Sequence, residues 1–161
     1  MTPEITEEHR WLMQMKGTWS FEGDCEMGPG QPKLKSKGTE QVRSLGDAWT
    51  IGEMESEMPV GGDIGYARMT LGYNPSTKRF VGTWVGSMMS HLWVYDGTLD
   101  AARKVLTLTA EGPSFSGDGT MSKYRDVIEI KSPDHRTLTS SVQQPDGTWN
   151  TFMWANYRRT G

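Results

Sequence analysis

Residues 80–99 read FVGTWVGSMMSHLWVYDGTL, and the reading of the fold turns on this stretch. It carries two of the seven Trp, two adjacent Met and three Gly, no Lys or Arg, and Asp96 as its sole acid. Taken at alternate positions, neither face is polar. Phe80, Trp84, Met88, Leu92 and Val94 fall on one face, and Val81, Val85, Met89, Trp93 and Tyr95 on the other. A strand pair buried on both sides has this composition. So does a barrel strand that turns one face to a cavity and the other to a covering helix. Alternation alone leaves open which set points inward.

On either side of this stretch, turn residues cut the chain into short segments. They are Gly28-Pro29-Gly30, Gly46-Asp47, Gly61-Gly62-Asp63, Asn74-Pro75, Pro133-Asp134 and Pro145-Asp146-Gly147. Strands are predicted near residues 18–26, 34–45, 49–58, 65–73, 79–86, 91–99, 105–110, 120–130, 137–142 and 148–158. Short strands at regular spacing with hairpin-length links make an antiparallel meander. A long meander hides its edges by closing on itself. The expected fold is all-β: a closed or nearly closed antiparallel up-and-down barrel of roughly eight to ten strands. One short N-terminal helix is predicted over 3–16. Thr2 or Thr6 caps it, Pro3, Glu4, Glu7 and Glu8 suit its first turn, and Ile5, Trp11, Leu12 and Met15 form its apolar face before Gly17 stops it.

The 161 residues make one domain, 1–161, long enough to bury a sizeable core. Nineteen Gly, eleven Met and seven Trp suit a strongly bent sheet with large side chains inside. The net charge of −3 comes without a basic block, so nucleic acid is not an expected partner. No apolar run approaches the roughly 20 residues of a membrane-spanning helix. Cys25 is the single cysteine and allows no intrachain disulfide, and the acidic start MTPEITEEHR is unlike a secretory signal. A cytoplasmic protein is expected.

The segment MKGTWSF, residues 15–21, places Gly17 and Trp19 directly after the helix. This Gly-x-Trp resembles the lipocalin opening, in which the Trp closes the barrel end and stacks on an Arg of the last strand. Arg158 or Arg159 would fill that role. More of the chain is similar to the domain-of-unknown-function 1579 family, a bacterial group regarded as lipocalin-like. The similar segments are 16–19, 27–30, 38–53 (GTEQVRSLGDAWTIGE), 69–74 (MTLGYN), 82–95 (GTWVGSMMSHLWVY), 117–129 (GDGTMSKYRDVIE) and 157–159. The resemblance implies the barrel fold. It brings no established activity, so no catalytic residue and no cofactor follow from it.

Candidate site residues come from the expected interior. Trp84, Trp93, Met54, Met69 and Met88 make the apolar wall, Met because its flexible thioether adapts to varied shapes. Glu53, Glu55 and Glu57 then face water. His91 is either satisfied by a neighbouring polar group, a ligand contact, a general base or an axial haem ligand. Asp126 shares a face with Ile128 and Ile130, and needs donors or an Arg partner there, with Arg43, Arg68, Arg158 and Arg159 as candidates. Tyr157 and Arg159 share a face of the last strand, where they either close the barrel or hold a ligand carboxylate. Fatty-acid-binding barrels use such a pair in the opposite order. Phe115, in the loop 111–119, is either the tip of a portal flap or a pin. His9, His91 and His135 lack zinc-site spacing, with His9 and His135 expected at the surface. No nucleophile elbow surrounds Ser87 or Ser90.

These residues fit a carrier of a small, mostly apolar ligand, with or without a carboxylate. The alternatives are an enzyme using His91 and a carboxylate, a haem protein using His91, and a filled structural barrel, in each case with a homodimer open.

Overall fold

A computed structural model describes residues 1–26, 28, 30–58 and 61–161; Met27 and Pro29 of the expected 27–30 turn lie outside the described residues. Ten strands follow one helix: α1 (Glu7–Met13), β1 (Gly17–Glu26), β2 (Lys33–Leu45), β3 (Trp49–Glu57), β4 (Ile64–Asn74), β5 (Arg79–Gly86), β6 (Trp93–Leu99), β7 (Val105–Pro113), β8 (Met121–Ser132), β9 (His135–Gln143) and β10 (Trp149–Arg159). Each strand pairs antiparallel with the next, and β1 also pairs with β10, which closes the barrel. The seam runs from Trp19 opposite Arg159 to Cys25 opposite Met153. Among the described residues, no helix is long and apolar enough to cross a membrane.

The stretch 80–99 is a hairpin whose inward parity switches. In β5 the even residues Phe80, Gly82 and Trp84 point in; in β6 the odd residues Trp93, Tyr95 and Gly97 do. The connection over residues 87–92 absorbs the change, and Met88, Met89 and Leu92 within it stay largely exposed. Val85 and Val94 lie outside, where a period of two sends every other side chain.

The helix is shorter than the 3–16 expected. Thr6 is its N-cap in an extended conformation, and Gln14 already caps the other end. Gly17 belongs to β1, with φ of +133°, and a Cβ there would strike the Arg159 guanidinium. His9 is 2 % exposed rather than at the surface. Its Nδ1 accepts the Thr6 backbone N–H at 3.0 Å, and its Nε2 lies 3.0 Å from the Tyr73 carbonyl, so Nε2 carries the ring hydrogen. The helix packs against β3 and β4 as a plug. Trp11 donates its indole N–H to the Arg103 carbonyl at 2.7 Å, and its ring meets Phe80 edge-on.

Above the plug the barrel is filled. Leu12, Trp19, Phe80, Leu106, Leu108 and Ile128 are almost fully buried. Glu40 on β2 and Arg136 on β9 point into this core and form a buried ion pair. Gly52 on β3, paired with Val42, leaves the room, since a Cβ there would meet the Glu40 carboxylate. The Arg136 guanidinium also lies over the rings of Tyr157 and Trp19, at 4.1 and 4.6 Å from their centroids. Arg159 covers Trp19 at 4.4 Å and donates to the carbonyls of Lys16, Gln14 and Pro133, which ties the last strand to the helix exit.

Candidate functional site

At the other end of the barrel the side chains stop short of filling the interior. A cavity of about 380 Å³ opens there, lined by residues of β5 to β10. Trp84, Met89, Trp93, Phe115, Tyr124, Phe152 and Met153 make its apolar wall. The aromatic rings interlock edge to face. Trp93 and Tyr124 are 4.8 Å apart at 84°, and Phe115 and Phe152 are 5.0 Å apart at 83°. Trp93 donates its indole N–H to the Met89 sulfur at 3.0 Å, and Tyr124 donates its hydroxyl to the Pro113 carbonyl. Trp93 can lie flat against β7 because position 112 is Gly, whose Cβ would collide with the indole.

The polar groups of the cavity converge at its inner end. Asp126 on β8 sits opposite Ser140 on β9 and Leu108 on β7. Ser140 donates to its Oδ1 at 2.6 Å, and Tyr95 of β6 donates to its Oδ2 at 2.5 Å. Below it, Ile128 and Leu138 belong to the filled core. Asp126 is deep enough that burial raises its pKa above 3.8, opposed by the hydrogen bonds from Ser140 and Tyr95. It nevertheless keeps accessible surface, because one side faces the cavity rather than packed atoms. Burial, and then the Asp126 charge, hold the Tyr95 hydroxyl well above its ordinary value.

The sequence-derived candidates separate into groups. Trp84, Trp93 and Asp126 come together in the cavity wall. Met69 lies in the filled core, and Met54 packs against that core beside the Tyr157 hydroxyl. Tyr157 is buried, stacked on Phe21 at 4.9 Å, and its hydroxyl is pushed up in pKa by burial first and by Glu40 second. Arg159 sits at the plugged end. Met88 is exposed on the 87–92 connection. His91 lies outside the cavity wall: its Nε2 is 2.8 Å from the Glu111 carbonyl and its ring meets Trp93 edge-on. None of the four Arg candidates bonds Asp126, whose side-chain partners are Tyr95 and Ser140. Phe115 combines the two roles weighed for it, being 42 % exposed at the rim and packed on Tyr124 and Phe152.

Tyr95, Ser140 and the Glu40–Arg136 pair did not emerge from the sequence as site or core polar residues. Hairpin register alone misses Ser140 by one residue. Counting back from the 133–134 turn sets Ser141 opposite Asp126, and a register shift between Ile130 and Ser132 brings Ser140 there instead.

Larger grooves lie on the outside of the sheet. One of about 560 Å³ crosses β10, β1, β2 and β3, with outward polar side chains such as Lys37, Glu55 and Arg158 along it. Its walls leave a ligand in water, whereas the interior cavity removes one from it. Among the described residues, no group of three or more His, Cys, Asp or Glu is arranged to hold a metal ion.

Comparison with known proteins agrees with this architecture. The sequence matches the family described as "Protein of unknown function (DUF1579)" over residues 4–159. No curated protein matches it by sequence. Among solved structures, Rv2717c from M. tuberculosis superposes with a TM-score of 0.67 at 10% identity, covering 98% of this chain and 100% of that chain. The S-type phycobiliprotein lyase CPES from Guillardia theta gives 0.63 at 10% identity, covering 99% of each chain. Likenesses at this identity concern the fold.

Proposed function

The chain belongs to the DUF1579 family of proteins of unknown function, and from that premise we propose that it binds a small, mostly apolar, ring-containing molecule in the open-end cavity. The cavity itself carries this reading. Its volume of about 380 Å³ lies in the range of small-molecule sites, its walls are aromatic and thioether groups, and its polar groups gather at one point. Edge-to-face rings present both faces and edges to a flat guest. The reading leaves no role for a His91–Asp126 catalytic pair, since the two side chains hold different partners. Burial, and then Asp24, push the Cys25 thiol up in pKa, which lowers its thiolate character.

The test uses N-phenyl-1-naphthylamine, a neutral aromatic probe that brightens in apolar sites. Saturable binding with quenching of Trp84 and Trp93 is expected. Ala110 lines the cavity, so Ala110→Trp, checked for folding by circular dichroism, should weaken binding by at least about tenfold. Equal binding in a folded Ala110→Trp variant overturns the reading.

A further inference from the structure

Asp126 is unusual in its surroundings. The residues around the cavity include no Lys, Arg or His, so no protein cation faces its carboxylate there. Tyr95 and Ser140 each donate one hydrogen bond, one to each oxygen. An ionised carboxylate offers about four acceptor positions, so roughly two remain, on a group whose one open side is the cavity. Burying a charge without a counter-charge is costly. The same barrel shows the alternative arrangement at Glu40, which Arg136 neutralises directly.

Resting on the binding reading above, we propose that the cavity selects guests bearing a hydrogen-bond-donating nitrogen, best a cationic one, that reaches Asp126, and that it disfavours guests bearing a carboxylate. The apolar walls take the ring system, and Asp126 fixes its orientation by accepting the N–H. A carboxylate guest would bring a second negative charge to the inner end, where Tyr95 and Ser140 are already spent on Asp126. Tyr157 and Arg159, the pair suited to an acid, lie outside this cavity.

The experiment titrates three probes that share one ring system: neutral 1-methylnaphthalene, cationic 1-naphthylmethylammonium and anionic 1-naphthoate. In the wild type the ammonium should bind at least about tenfold tighter than the naphthoate, the scale of one hydrogen bond to a charged group. In Asp126→Asn that ratio should fall towards one. The wild-type order stands as a test by itself should the variant fold poorly. A naphthoate that binds as well as the ammonium overturns the proposal, as would a protonated Asp126 that donates to it. So does an order that survives in folded Asp126→Asn. If the neutral probe binds and the order is absent, only this proposal falls. If no probe binds, the binding reading falls with it.

Discussion

Glu40, towards the plugged end, and Asp126, at the open end, both point into the barrel from its strands, and only Glu40 has a cation. Arg136 lies against Glu40 and is itself covered by Trp19 and Tyr157. Asp126 has two hydroxyl donors and an empty side. One end is built as a closed core in which the charges cancel. The other keeps an uncancelled charge and unfilled space, both of which cost stability. Features that weaken a fold and persist at one place are characteristic of sites that do something else.

The largest expected effect breaks the plugged end. Arg136→Met strands the Glu40 carboxylate and should lower stability by about 3–5 kcal/mol, read by urea denaturation. Replacing both partners, with Glu40→Leu added, should recover most of that loss, because the remaining groups are apolar.

The next prediction sets the two acids against each other with one chemical change. Glu40→Gln should destabilise, since it leaves the guanidinium unpaired. Asp126→Asn should stabilise at pH 7, by about 1 kcal/mol or less on the scale of a single hydrogen-bonded exchange. The sign follows from the direction of the shift. Asp126 has its pKa raised by burial, so its contribution is fully present below 3.8 and is lost as pH rises through its folded value. The advantage of Asp126→Asn should therefore vanish in thermal melts below pH 3.8 and grow as pH rises from there through the raised folded value. Equal signs at positions 40 and 126 would erase the contrast between the ends.

The smallest effect concerns the rim. Phe115→Ala removes a half-exposed ring from the cavity mouth and should change stability by no more than about 0.5 kcal/mol. Stopped-flow release of N-phenyl-1-naphthylamine should nevertheless accelerate.

These contrasts were only half legible in the sequence. The ten strands and their closure followed from turn residues at short spacing, and nearly every predicted strand lies within a few residues of its observed bounds. Trp84, Trp93 and Asp126 could be picked out because bulky and acidic residues stood on otherwise apolar faces. The facing of 80–99 could not, because both parities are apolar and the connection at 87–92 exchanges them. The Glu40–Arg136 pair was hidden by distance, its members 96 positions apart in the chain, each in a segment whose polar neighbours read as surface. Met69, Met54 and Tyr157 have the composition of a cavity wall, yet the volume around them is taken up by Trp19, Phe21 and Ile128. Alternation says which side of the sheet a residue occupies; how high along the barrel axis it sits depends on register.

The even number of strands has a practical side. β1 enters and β10 leaves beside the helix, where Thr18 and Gly161 exchange backbone hydrogen bonds. A tether or reporter attached through either flank of the barrel therefore emerges opposite the mouth. A protein immobilised this way presents its opening to solution, so guest exchange can be followed at a surface without the attachment shading it.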